Sequence, residues 1–94
     1  MLSLITLICN DGRKLYYSNG LRTAVGFHEN VQDATLYPDP QIVSADFGML
    51  RSTLQGQALV RNALIRPTFK KISGNLAVEQ LDMRAVEPAA EIRL

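Results

Sequence analysis

The spacing of apolar residues along this 94-residue chain changes period twice, and the changes mark out its elements. Leu4 to Cys9, "LITLIC", is an unbroken aliphatic and β-branched run. It is apolar on both faces, which predicts a strand inside a sheet rather than at its edge. Asn10-Asp11-Gly12 follows, residues that tolerate positive φ, and then "KLYYS", so a hairpin with a tight turn is expected. Asn19-Gly20 marks the next turn. From Leu21 to Val31 the alternation is too weak to assign a strand, whereas "ATLY", Ala34 to Tyr37, reads as a short third one.

The period then becomes helical. In "YPDPQ", Asp39 is the expected N-cap and Pro40 the first helical residue, where the missing N–H leaves nothing unsatisfied. Val43, Phe47, Leu50 and Leu54 recur at i, i+4, i+7 and i+11, one apolar stripe of an amphipathic helix from Pro40 to about Gln55. Ser44, Arg51 and Gln55 fall opposite it. Gly56 interrupts, and Leu59, Val60 and Leu64 lie off the stripe. That phase change implies a new short helix or a bend, ended by Pro67.

"TFKKISGNLAV" reads as a second hairpin turning at Gly74-Asn75, with Lys70 opposite Glu79. The helix formers in "LAVEQLDMRAVE" leave a helix as the alternative for the last element. Residues 87–94, "EPAAEIRL", form an extended or frayed tail. The pattern as a whole predicts a single α+β domain over residues 1–94: an antiparallel sheet of four to five strands with one principal amphipathic helix packed on it.

The first half of this pattern carries a resemblance. "ITLICNDGRKLYYSNG" followed by "QDATLYPDPQIVSADFGML" is similar to small phage and prophage proteins of ββ-loop-βα form. Those open on a hairpin around an Asn/Asp-Gly turn, continue to a short Ala-x-x-aromatic strand, and then enter a proline- or acid-capped helix. Ala34 and Tyr37 stand at the strand positions, Asp39 and Pro40 at the cap. The resemblance rests on structural residues and implies a phage or prophage genomic neighbourhood; the understood proteins of that sort are often small inhibitors that bind a host complex.

Composition narrows the chemistry. Apolar residues make up 47% and charged residues 20%, an ordinary globular balance. The one cysteine, Cys9, allows neither an internal disulfide nor a cysteine-based metal site and is expected as a small buried residue of a strand. The opening apolar run has no preceding Lys or Arg and is short, and Ile8 before Cys9 is too large for a lipoprotein cleavage site. A cytoplasmic protein without a signal peptide or membrane span is the expectation. One histidine, His28, beside Glu29, Asp33 and Asp39 falls short of a metal-ligand spacing. Cys9 and His28 lack an identifiable third group for nucleophilic catalysis, and His28 is expected to make a backbone hydrogen bond. The glycines of "DGRKLYYSNG" precede no helix N-terminus that would complete a phosphate site. No catalytic, cofactor or metal site is therefore predicted.

Charge is the functional signal. Residues 1–50 hold three basic and five acidic residues, and residues 76–94 two basic and four acidic. Between Phe47 and Val78 there are five basic residues and no acidic one, in a chain of net charge +1. Segregation of this kind creates a local potential that the net charge hides. Arg61, Arg66, Lys71, Lys70 and Arg51 are the candidate partner-binding residues, with Leu59, Leu64 and Phe69 turned inward. An acidic protein surface is the first expected partner. Nucleic acid is the alternative, weakened because Phe69 is the only aromatic between Arg51 and Lys71 and offers no stacking platform. Tyr16 and Tyr17 are adjacent in a strand, so one is expected in the core and the other exposed near Arg13 and Lys14 as an interface anchor. Edge pairing through "KLYYS" or "LAVEQLDM" would give a homodimer.

Overall fold

The computed structural model describes residues 2–65, 72–80 and 92–93. Strands β1 (Ser3–Cys9), β2 (Lys14–Ser18), β3 (Gly26–His28), β4 (Gly74–Gln80) and the two-residue β5 (Ile92–Arg93) form one antiparallel sheet in the order β3-β2-β1-β4-β5. Helices α1 (Pro40–Ser52) and α2 (Leu54–Leu64) cover one of its faces. The α+β class and the antiparallel sheet match the sequence pattern. The helical layer holds the expected amphipathic helix as α1, of 13 residues, followed by α2, of 11 residues, where the phase change implied a new short helix or a bend.

β1 is the central strand, as its two-faced apolar run predicts, with β2 and β4 on either side. Strand alternation and register place Ile5, Leu7, Leu15, Tyr17 and Leu76 on one face, where they meet Val43, Phe47, Leu50, Val60 and Leu64 from the helices. Cys9 is buried in the same layer. Tyr17 points into the core and packs against Phe27 at 5.4 Å between ring centroids, while Tyr16 stays half-exposed on the opposite face.

The first hairpin forms as expected. Cys9 N–H donates to Arg13 O at 2.8 Å and Gly12 N–H to Cys9 O at 3.1 Å, with Gly12 at φ +95°, the conformation that selects glycine here. The third strand is not "ATLY" but Gly26–His28, which pairs with β2 and is too short for alternation to reveal. "ATLY" instead fills a gap. The pairing of β1 with β2 ends at Thr6–Tyr16, and beyond it Thr35 N–H donates to Tyr17 O at 3.0 Å while Ser3 and Tyr37 exchange backbone bonds of 2.9 and 2.8 Å.

α1 starts as predicted: Asp39 caps it by accepting from Gln41 N–H at 2.8 Å, and Pro40 opens its first turn. It ends earlier than the stripe suggests. Thr53 is extended (φ −95°, ψ 151°), ends α1 by donating its N–H to Met49 O, and caps α2 by accepting from Gly56 N–H at 2.9 Å. The rotation of the chain at Thr53 takes Leu54 out of the core, so Val43, Phe47 and Leu50 are buried and Leu54 is 86% exposed. Gly56 sits in the corner between the helices. A Cβ there would lie 2.3 Å from Met49 O and 2.6 Å from Leu50 Cα, so only glycine fits.

The second hairpin is not formed where expected. Gly74 and Asn75 lie within β4, opposite Cys9 and Ile8 of β1, and Glu79 lies opposite Leu4. A Cβ on Gly74 would approach Leu64 and Leu7 side chains at 3.2 Å, so close packing beneath α2, not a turn, explains this glycine. The described part of "LAVEQLDMRAVE", to Gln80, is strand; residues 81–91 lie outside the described residues, and Ile92–Arg93 of the tail pairs as β5 with Asn75 and Leu76. "KLYYS" is β2, paired with β1 and β3, and is not an edge available for dimer pairing; "LAVEQ" belongs to β4, which has β1 on one side and β5 on the other at Asn75 and Leu76.

Candidate partner-binding surface

Two of the five candidate residues fall on the helical layer. Arg51 occupies the last turn of α1 and Arg61 the last turn of α2, positions where a cation complements the negative end of the helix dipole. Both are exposed. The Arg51 guanidinium lies over the Phe47 ring at 5.7 Å, which holds the side chain against the helix. Arg66, Lys70 and Lys71 lie outside the described residues, as does Phe69. Leu64 turns inward as expected and Leu59 is partly buried against the core.

Four of the described carboxylates, Asp11, Asp39, Asp46 and Glu79, are engaged elsewhere. Asp11 forms an ion pair with Arg13 at 2.8 Å; bonds from the Arg13 backbone and side chain hold its carboxyl below the usual value. Asp39 is consumed in capping, Asp46 accepts from Tyr37 Oη at 2.6 Å, and Glu79 pairs with Lys14 at 2.7 Å. Neither ion pair involves Arg51 or Arg61.

One surface feature escaped the sequence pattern. Leu54, Ala58, Arg61 and Ile65 recur at i, i+4, i+7 and i+11, within about 60° of one another around α2 and opposite its buried residues Gly56, Val60 and Leu64. Leu54 is 86% and Ile65 68% exposed. The missed signal was Thr53: a second N-cap there resets the helix and converts Leu54 from core to surface.

The sheet face away from the helices carries Lys14, Tyr16, His28 and Glu79. The Lys14 ammonium lies 5.9 Å from the Tyr16 ring centroid, so the half-exposed tyrosine is already associated with a cation. His28 donates from Nε2 to Ala24 O at 2.7 Å, the backbone bond expected of it. Cys9 and His28 stand on β1 and β3 with β2 between them, a separation of about 10 Å from strand spacing alone. No cluster of His, Cys, Asp and Glu suited to a metal occurs among the described residues. No helix among them is long and apolar enough to cross a membrane.

Comparison with family models, curated proteins and solved structures finds no match to this chain.

Proposed function

We propose that this chain is a non-enzymatic protein-binding module, a phage-type inhibitor or adaptor of the cytoplasm whose basic surface meets an acidic protein surface. The observation that carries this reading is the charge segregation: from Phe47 to Val78 five cations and no carboxylate, with Arg51 and Arg61 exposed on consecutive helices. Arg61, Arg66, Lys70, Lys71 and Arg51 supply the contacts, the arginines through planar forks that grip carboxylates with two hydrogen bonds. The test is capture from nuclease-treated host extract by immobilised protein, comparing the wild type with Arg61→Glu/Arg66→Glu. Proteins retained by the wild type and lost from a variant of unchanged melting temperature support the reading. Retention unaffected by the reversal means that the charge segregation is incidental. No protein captured, together with a mobility shift of random duplex or single strands whose affinity falls steeply in salt, replaces a protein partner with a phosphate backbone.

A further inference from the structure

We infer that the outward stripe of α2, Leu54–Ala58–Arg61–Ile65, docks an acidic amphipathic helix of another protein, one that presents apolar side chains on both sides of a carboxylate; this rests on the protein-binding reading above. Leu54 and Ile65 are large aliphatic side chains about 16 Å apart along the helix, exposed at its two ends. Ala58 keeps the surface between them low, so a second helix can approach closely. Arg61 projects from the same stripe between Ala58 and Ile65. Apolar anchors around a single cation make a recognition pattern of the helix-against-helix kind, read at i, i+4, i+7 and i+11.

Charge complementarity selects the occupant. α2 contains no acidic residue, and Arg61 has no ion-pair partner among the described residues. A second copy lying antiparallel on the stripe would set Leu54 of one against Ile65 of the other. It would also bring the two Arg61 side chains to within about 5 Å along the axis with no carboxylate on either helix. Like charges so placed oppose association. A nucleic-acid backbone answers Arg61 and leaves Leu54 and Ile65 in water. An acidic helix answers all three, its carboxylate accepting two bonds from the guanidinium. Three turns of one helix face offer well under the roughly 800 Å² per partner of a standard interface, so the contact is a transient one.

The experiment uses two synthetic stapled helices, identical but for a central glutamate or lysine between flanking leucines, titrated into isotope-labelled protein. The glutamate helix is expected to shift amide resonances from Leu54 to Ile65 and to bind about tenfold more tightly than the lysine helix. Arg61→Glu should reverse that preference, and Leu54→Ser/Ile65→Ser should abolish binding of both while the melting temperature holds. Equal binding of the two helices, shifts confined to another surface, or none at millimolar peptide overturns the inference. Concentration-dependent shifts of α2 without peptide assign the stripe to a second copy and overturn it too. Capture from extract that survives Leu54→Ser/Ile65→Ser but not Arg61→Glu/Arg66→Glu removes the stripe and leaves the protein-binding reading standing.

Discussion

The Lys14 ammonium lies 2.7 Å from Glu79 Oε2, and the pair strides diagonally over Thr6 on the strand between them. Lys14 is opposite Ile8 and Glu79 opposite Leu4, so Thr6 occupies the midpoint of the span on the same sheet face. Thr6 is fully buried, and neither its hydroxyl nor Glu79 Oε1 finds a hydrogen-bond partner among the described residues. The lysine side chain is 37% exposed and the glutamate 6%, so the cost of separation falls on the carboxylate. Lys14→Met is expected to destabilise the fold by about 1–3 kcal/mol, less than for a fully buried pair because water reaches the lysine. Lys14→Met/Glu79→Gln should recover part of that loss. A double-mutant cycle in urea measures it, and strictly additive losses would show that the two groups are uncoupled.

Phe47 anchors α1 on the sheet and is buried in the central cluster. Phe47→Ala should cost about 3–5 kcal/mol, a large part of the stability of a domain this size. An unchanged thermal melt would remove Phe47 from the core.

Gly56→Ala tests the corner between the helices. With Met49 O at 2.3 Å and Leu50 Cα at 2.6 Å from the added carbon, the obstacle is backbone and cannot rotate away. Helix propensity favours alanine by about 1 kcal/mol, yet the expected outcome is a net loss of about 1–3 kcal/mol. A variant melting higher than the wild type would contradict the close approach.

Raising the pH above about 10 should weaken this fold. Burial, with the Asp46 carboxylate that accepts its hydroxyl proton, raises Tyr37 well above its ordinary value of 10, and burial with the Asp46 charge raises Tyr17 as well. The folded chain keeps these protons while the unfolded chain releases them near pH 10. Their contribution is therefore complete below that pH and declines above it, by at most about 1.4 kcal/mol per pH unit for each group. Tyr37→Phe should cost about 1.5–3 kcal/mol at neutral pH through the lost bond to a carboxylate, and should flatten the alkaline decline. Urea unfolding at a series of pH values reads both effects; an unchanged slope would assign the decline to other groups.

What the sequence disclosed was whatever local chemistry decides. The Gly12 turn, the Asp39 cap, Pro40 and the division of Tyr16 from Tyr17 each follow from a residue and its immediate neighbours. What it concealed depends on residues far apart. Gly74 resembles a turn residue until Leu64 and Leu7 are seen against it, and Glu79 resembles a hairpin partner of Lys70 until β4 is found beside β1. β3 carries only three residues, too few for a period. On the candidate surface, exposed Arg51 and Arg61 were readable from their spacing, whereas Leu54 fits the core stripe perfectly except that Thr53 turns the chain before it.

The pairing of β1 with β4, from Ser3–Gln80 to Cys9–Gly74, joins the first strand of the chain to one made more than sixty residues later. During synthesis at about 5–20 residues per second, β1 waits several seconds or more for that neighbour. The hairpin with β2 and the two helices can form first, since their contacts are local, but one edge of the most apolar strand stays open throughout the wait. Nascent chains arrested before Gly74 should therefore be the species that aggregate or recruit holdase chaperones, and release of the arrest should let the sheet close in a single late step.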